Sequence, residues 1–231
     1  TKACINKGYR VLGSVRKQKD ADRLSSKFGP AFIPLIFDVT DEQAVKKAAD
    51  KAKEILGGEA VHTLINNAGI AIGGPMMHVP LSDLRRQLEV NVIGLVATTQ
   101  AFLPLLGAQK NYPHAPGRII NISSVASYKP SALTTVYSAA KAGLNVLTSA
   151  SAQEFAGVGV RVNCIVCGTF DTDAAAGFVR NPDSLPYVIE PIALNRVGEP
   201  EEVVGAVIYF ASAASSYTTG TCMTIDGGIR P

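Results

Sequence analysis

Residues 119–141 read IINISSVASYKPSALTTVYSAAK, and the rest of the chain can be understood outward from this stretch. It opens with an apolar run, Ile119 to Ile122, that is typical of a buried strand, and after a polar loop it continues as a helix. Tyr137 and Lys141 are four residues apart, which on a helix places both on one face about one turn apart. Ser124 comes just after the strand. The stretch therefore predicts that a hydroxyl, a phenol and an ammonium group meet where a strand leads into a helix.

Such a trio is suited to acid–base chemistry. A free tyrosine has a pKa of about 10, and a nearby lysine cation favours the phenolate and lowers that pKa. A serine hydroxyl can hold a substrate oxygen while the phenol gives or takes its proton, and a positioned group of this kind contributes about 10²–10⁴ in rate. Tyr and Lys at this spacing also occur on ordinary amphipathic helices, with the ring half buried and the amine in water. The spacing alone favours that ordinary interpretation.

Composition limits the class of protein. With 231 residues, 47% hydrophobic and 18% charged, the chain is expected to form one domain with a large core. The net charge of +3 gives no electrostatic footprint for nucleic acid. The apolar runs are short and interrupted, so no membrane span is predicted. The polar start, Thr1 to Gly8, does not resemble a secretory signal.

The chain has four cysteines, Cys4, Cys164, Cys167 and Cys222. Cys164 and Cys167 form a Cys-x-x-Cys pair, but no second Cys or His pair accompanies it, so we expect buried thiols and no metal site. Free thiols fit a reducing compartment, either the cytoplasm or a reducing organelle matrix.

Strand-like and helix-like segments alternate along the chain. The strand-like segments are apolar runs without a polar alternation, as expected when both faces of a sheet are covered. This pattern predicts an α/β fold with a parallel sheet between two layers of helices. Ligands of such sheets bind at the carboxyl ends of the strands.

Five motifs follow one another along the chain: Asn66-Asn67-Ala68-Gly69, Asn91, Ser124, Tyr137 with Lys141, and Ile225-Asp226-Gly227-Gly228. With these motifs in this order, the sequence resembles the short-chain dehydrogenase/reductase family of the Tyr-x-x-x-Lys type over nearly its whole length. The resemblance implies a Rossmann-like, doubly wound parallel sheet in three layers, with residues 1–231 as one dinucleotide-binding domain and a lid at about 169–198.

The resemblance also implies catalytic roles for four residues. Tyr137 would be the acid in reduction and the base in oxidation, with Lys141 lowering its pKa and binding the nicotinamide ribose. Ser124 would polarise the carbonyl; Ser123 competes for this role, but the family places its serine thirteen residues before the tyrosine, as Ser124 is. Asn91 would hold a water that links Lys141 to solvent, and a structural amide is the alternative for Asn91.

Residues at several strand ends are implied to bind the cofactor. Asp38 and Val39 would contact adenine, although Asp38 also suits a helix cap. Cys167 stands where the family usually has proline, which should loosen the turn before Gly168. The other implied cofactor contacts are Asn66, Ala68, Gly69, Tyr137, Lys141, Gly168, Phe170 and Thr172.

The end of the first predicted strand reports on the type of cofactor. An acid there would bind the ribose hydroxyls of NAD, whereas an arginine suits the 2′-phosphate of NADP. Val15 occupies the expected acid position and Arg16 follows it. A guanidinium matches phosphate geometry, so NADP(H) is predicted to be preferred, with NAD(H) as the lesser alternative. The ordinary alternative is that Arg16 belongs to a solvated helix start.

The family has a further strand and a glycine-rich turn that cradles the pyrophosphate at a helix N-terminus. Residues 1–231 contain no match to either, and we expect both to precede Thr1 in a longer protein. If they do not, dinucleotide binding and every catalytic role implied above would be in doubt.

The substrate is poorly determined by sequence. The resemblance implies hydride transfer that interconverts a ketone or aldehyde and an alcohol. One alternative is a 3-oxoacyl-(acyl-carrier-protein) reductase, whose acidic carrier would need a basic patch near the lid, where only Arg180 and Arg196 are available. Another is a non-catalytic scaffold, or a truncated form unable to bind cofactor. The resemblance also implies a homo-oligomer, tetramer or dimer, with Leu81–Leu106 and Thr135–Phe155 as interface helices.

Overall fold

The structure is a computed structural model that describes residues 1–107 and 117–229. The strands are β1 Val11–Val15, β2 Phe32–Ile36, β3 Thr63–Asn66, β4 Arg118–Ser124, β5 Arg161–Cys167 and β6 Cys222–Ile225. Within the described residues all pairing between these strands is parallel, and they form two sheets in the orders β1-β2 and β3-β4-β5-β6. Residues Asn66 and Asn121 are paired in register, as are Ser124 and Cys167.

Helices connect the strands and cover both sheet faces. They are α1 Lys2–Asn6, α2 Gln18–Phe28, α3 Glu42–Leu56, α4 Leu81–Leu88, α5 Gly94–Phe102, α6 Thr135–Ala156, α7 Ala176–Val179, α8 Leu185–Ile189 and α9 Val204–Ala211. Helix α3 shows how sequence defines such an element: the Asp41 side chain accepts a hydrogen bond from the Ala44 amide (2.9 Å), and Gly57 ends the helix in a left-handed conformation (φ 59°).

A π-helical turn, Glu89–Ile93, joins α4 to α5, and a 3₁₀ turn extends α5, so that Leu81–Leu106 is one continuous helix. By length and composition alone this helix could cross a membrane, with 28% of its most apolar window buried. The expectation that all apolar runs are short was therefore wrong, whereas the prediction of no membrane span stays a prediction. In the structure the helix packs against α3 and α6.

Three apolar clusters form the core. The first lies under α3 and joins Leu12 of β1, Leu35 of β2 and Leu64 of β3, so the two sheets share one core. The second packs Ile119 and Val162 against α6, and the third packs Ile120 and Ile165 against α9. Helices thus cover both faces, and the predicted three-layer α/β architecture of a single domain is confirmed.

The described strands form two separate sheets and not one continuous sheet. Among the described residues no strand pairing joins β1 to β3, and packing through the first cluster holds the two sheets together. The proline-containing stretch after β5, which showed no helical periodicity, contains the short helices α7 and α8.

Candidate active site

Polar residues follow the carboxyl ends of four strands. Asp38 follows β2, Asn66 ends β3, Ser124 ends β4 and Cys167 ends β5. Because neighbouring parallel strands end at the same edge of a sheet, these positions define the edge at which a ligand binds in this architecture.

Ser124, Tyr137 and Lys141 come together at this edge. Ser124 begins a 3₁₀ turn, and its Oγ accepts a hydrogen bond from the Ala126 amide (3.2 Å). Tyr137 lies in the first turn of α6, within hydrogen-bonding reach of the Ser124 hydroxyl. Lys141 is one turn further along, with its Nζ 5.8 Å from the centroid of the Tyr137 ring. The hydroxyl, phenol and ammonium therefore share one site.

The two adjacent serines have different environments. Ser123 is buried, and its Oγ donates to the backbone oxygen of Lys141 (3.2 Å), which ties β4 to α6. Ser124 is the serine that lies next to the phenol.

Burial controls the protonation of this site. Lys141 is only 5% exposed and donates from Nζ to the Ile122 oxygen (2.8 Å), and burial lowers its pKa. Burial also raises the pKa of Tyr137, while the Ser124 hydrogen bond acts in the opposite direction. The lowering of the Tyr137 pKa by Lys141 stays a prediction. The Lys141 ammonium lies near the ring and bonds a carbonyl, and desolvation of the phenol dominates.

Asn91 is buried in the π-helical turn, and its side chain holds the backbone of Ile70. Its Nδ2 donates to the Ile70 oxygen (2.8 Å) and its Oδ1 accepts from the Ile70 amide (3.0 Å). A Cβ at Gly69 would lie 2.9 Å from Asn91 Oδ1 and 3.5 Å from Lys141 Nζ, so a larger residue there would displace the Asn91 side chain. The structural role of Asn91 is thus explained, and its role in holding a water stays a prediction.

The Asn66 side chain faces the interior rather than the cofactor edge. Its Nδ2 donates to Thr99 Oγ1 (3.1 Å) and to Asn121 Oδ1 (3.0 Å). Asn121 in turn donates to Thr148 Oγ1 (2.9 Å). The cofactor contact of Asn66 stays a prediction, and with this side-chain orientation its backbone would make it; Ala68 and Gly69 are exposed at the edge.

Asp38 and Arg16 lie near each other at the end of the β1-β2 sheet. Asp38 Oδ1 accepts from the Thr40 amide (3.0 Å) and hydroxyl (2.9 Å). The Thr40 amide bond is the main cause that lowers the pKa of Asp38, and the charge of the exposed Arg16 adds to it. Val39 packs against Gly94, where a Cβ would lie 2.8 Å from Val39 Cγ2.

The turn after β5 is close-packed. The Gly168 amide donates to the Ile225 oxygen (2.8 Å), and a Cβ on Gly168 would lie 2.5 Å from Asp226 Cα. Burial raises the pKa of the preceding Cys167 to about 11, so this thiol stays protonated near neutral pH. Thr172 Oγ1 accepts from the Ala175 amide (3.3 Å) and so caps a turn.

The two ends of the segment expected to form a lid are joined to each other by a bridge between Phe170 and Gly198. A second bridge pairs Ile192, inside the segment, with Ile229. Between them α7 and α8 carry exposed apolar side chains.

Both arginines that the acyl-carrier alternative requires are already paired with acids. Arg180 Nε contacts Asp171 Oδ1 (2.8 Å), and Arg196 NH1 contacts Glu202 Oε2 (2.7 Å).

Sequence reasoning missed two features of the site. The Tyr128 hydroxyl donates to Asp226 Oδ2 (2.6 Å), a contact between residues 98 positions apart that no local pattern signals. Gln87 Oε1 accepts from the Ile72 amide (2.9 Å). The spacing of Gln87 four residues before Asn91 was a usable signal for this second feature.

Comparisons with known proteins agree with this geometry. Residues 1–230 match the family model described as enoyl-(acyl carrier protein) reductase. The chain is 40% identical to an NADPH-dependent 3-dehydrocapnine reductase from Ornithobacterium rhinotracheale, over 73% of this chain and 59% of that protein. It is 33% identical to the 3-oxoacyl-(acyl-carrier-protein) reductase FabG of Thermotoga maritima, over 95% of this chain and 86% of that protein.

A solved structure provides a third comparison. A gluconate 5-dehydrogenase from Burkholderia cenocepacia J2315, in complex with NADP and tartrate, superimposes with a TM-score of 0.91 at 28% identity, covering 99% of this chain and 88% of that chain. The chain belongs to the short-chain dehydrogenase/reductase family. This places it among oxidoreductases whose relatives are reductases and dehydrogenases.

Proposed function

We propose that this protein is an NADP(H)-dependent oxidoreductase that interconverts a ketone or aldehyde and an alcohol. The observation that carries the proposal is the meeting of Ser124, Tyr137 and Lys141 at the carboxyl edge of the sheet. The family membership and the NADPH-dependent reductase among the relatives support it.

Each residue of the trio has a task in this reaction. Ser124 holds and polarises the carbonyl oxygen, and Tyr137 gives that oxygen its proton in reduction and takes it back in oxidation. Lys141 keeps a cation beside the phenol and the ribose, and Asn91 holds the water through which Lys141 exchanges protons. The nicotinamide cofactor, when bound, supplies or accepts the hydride.

The residues at the edge fit a nicotinamide dinucleotide. Ala68 and Gly69 are exposed at this edge, so their backbone is open to a ligand. At the other end the Asp38 carboxylate and the Arg16 guanidinium provide an acceptor and a phosphate-binding donor. We assign Asp38, Val39, Ala68 and Gly69 to the adenosine side, and Gly168, Phe170 and Thr172 to the nicotinamide side.

The preference for NADP(H) depends on Arg16. A hydrogen bond to a charged group is worth about 1.5–3 kcal/mol, so Arg16→Ala should weaken NADPH binding by about tenfold or more and leave NADH binding unchanged. Lys19→Ala, an exposed cation on α2, is the matched control. Unchanged NADPH affinity in Arg16→Ala would refute the preference.

Turnover tests the function itself. The full-length protein should bind NADPH in a fluorescence titration and oxidise it with a carbonyl from a panel of ethyl acetoacetate, acetoacetyl-coenzyme A and a 3-ketosteroid. Tyr137→Phe should lower kcat by about 10²–10⁴ while NADPH still binds. Tyr217→Phe is the matched control, because Tyr217 is fully exposed and is not part of the trio. Normal turnover by Tyr137→Phe would refute the proposal.

The 3-oxoacyl-(acyl-carrier-protein) reductase is the second candidate, and the similarity to the Thermotoga maritima protein favours it. It predicts a kcat/KM for a carrier-bound thioester well above that for ethyl acetoacetate. The pairing of Arg180 and Arg196 with acids argues against a docking surface for an acidic carrier. A scaffold that binds no cofactor would instead show no NADPH binding at all.

Self-association is part of the proposal. Leu81–Leu106 and α6 carry large apolar side chains that remain exposed, among them Ile93 (45%) and Val146 (70%). We expect a homodimer or homotetramer that covers them. Val146→Lys should shift the sedimentation coefficient toward a smaller species, whereas Gln153→Lys, an exposed site on the same helix, should not.

The remaining assignments follow from the lid and the thiols. Residues 169–198 would close over the substrate from the base formed by the Phe170–Gly198 bridge. The four cysteines are free, which fits the cytoplasm or a reducing organelle matrix.

A further inference from the structure

Gln87 is a buried glutamine beside the candidate active site. Its exposed fraction is 0%, and it lies on α4 one turn before Asn91. Its Oε1 accepts a hydrogen bond from the Ile72 amide (2.9 Å). Its Nε2 has no hydrogen-bond partner within residues 1–107 and 117–229.

Of the two polar atoms of the Gln87 side chain, Oε1 is the one that stabilises the structure. The Ile72 N–H needs an acceptor, and this fixes which end of the Gln87 amide faces it. A buried donor without a partner is unfavourable, and an unbranched apolar side chain would fill the same space without that cost. What Gln87 provides, and an apolar residue would not, is the hydrogen bond to Ile72.

That hydrogen bond belongs to a connected wall along the site, formed by residues 69–74. Gly69 lies beside Lys141 at one end, where Asn91 holds Ile70. At the other end the Gly74 amide donates to the Leu133 oxygen (2.9 Å).

Leu133 lies in the turn that leads into α6. In that turn the Thr134 hydroxyl is 3.0 Å from the Ser138 hydroxyl, next to Tyr137. The wall therefore runs from Lys141 to the turn before Tyr137, and Gln87 holds its middle.

We propose that Gln87 is a positioning residue that fixes the 69–74 wall and thereby sets how tightly the carbonyl substrate is held against Ser124 and Tyr137, an inference that rests on the proposed function. Gln87 acts through Ile72 and does not itself touch the substrate.

Two variants separate the oxygen from the volume of the side chain. Gln87→Met keeps the length and removes the acceptor, and Gln87→Glu keeps the acceptor oxygen. Gln87→Leu replaces the Met variant if the latter does not fold. Gln43→Met, at an exposed site on α3, is the matched control.

In the full-length protein, Gln87→Met should raise the KM for ethyl acetoacetate by about fivefold, the typical net worth of one hydrogen bond, with kcat within about twofold of wild type. The NADPH dissociation constant should be unchanged. Hydrogen–deuterium exchange should accelerate in peptides covering 70–74. Gln87→Glu should restore both the KM and the exchange rate.

The outcomes distinguish two failures. If wild type reduces ethyl acetoacetate and Gln87→Met has a normal KM or normal exchange at 70–74, the inference fails and the proposed function stands. If wild type binds no NADPH and reduces none of the panel carbonyls, the proposed function fails and this inference fails with it.

Discussion

Thr148 is the inner end of a buried chain of polar side chains, and changing it should destabilise the protein measurably. Thr148 is 0% exposed, and its Oγ1 accepts from Asn121 Nδ2 (2.9 Å) and donates to the Leu144 oxygen (2.9 Å). Thr148→Val keeps the shape of the side chain and removes this hydroxyl. The Nδ2 group of Asn121, itself buried, then loses its partner.

The size of the effect follows from two opposing contributions. A buried donor left without a partner costs about 1–3 kcal/mol. The added methyl group stabilises the folded state by up to about 0.8 kcal/mol through apolar burial. The net loss in the free energy of unfolding should be about 1–2 kcal/mol, which for a chain of this size corresponds to a fall in Tm of about 2–8 °C.

Urea unfolding at one fixed protomer concentration measures this loss. Thr224→Val, at an exposed position of β6, is the control and should change stability by less than about 0.5 kcal/mol. The double variant Asn121→Leu with Thr148→Val should lose less than the sum of the single variants, because it leaves no orphaned partner between the two sites. If Thr148→Val is as stable as wild type, the argument about the buried chain is wrong.

Three further changes have defined outcomes. Gly69→Ala places a Cβ 2.9 Å from Asn91 Oδ1 and should displace the Asn91 side chain. In a fluorescence titration, NADPH binding should weaken by about tenfold as a result. The pKa of Glu202 is lowered from 4.5 to about 2, chiefly by its Arg196 hydrogen bond, so its stabilising contribution is complete above pH 4.5 and is lost as the pH falls to 2. The urea midpoint of Glu202→Gln should accordingly change less over that interval than that of wild type. Gly205→Ala, in α9 with open space around its Cβ, should stabilise the protein by about 0.5–1 kcal/mol in a thermal melt.

The architecture and the trio were accessible from sequence because they depend on short-range patterns. Apolar runs without alternation indicated strands covered on both faces, and the four-residue spacing of Tyr137 and Lys141 holds on any helix. The short helices α7 and α8 were missed because segments of four and five residues have little intrinsic signal.

Other features of the site depend on properties that spacing does not carry. The direction of the Tyr137 pKa shift depends on desolvation, which is set by what the rest of the chain packs over the phenol. Likewise, Asn66 faces the interior because β4 and α5 place Asn121 and Thr99 within its reach. The contact of Tyr128 with Asp226 closes a loop of 98 residues, and a pattern within one segment cannot reveal it.

The π-helical turn at Glu89–Ile93 makes the site sensitive to a change that stability measurements would overlook. Successive residues of a helix are rotated by about 100°, so deleting one residue between Gln87 and Asn91 would turn one of them away from residues 70–72. The shortened helix could regain ordinary α-helical hydrogen bonding and pack as well as before. A relative that lacks one residue at this turn would therefore be expected to have lost the arrangement of Gln87 and Asn91. The substitutions around the turn would not reveal that loss.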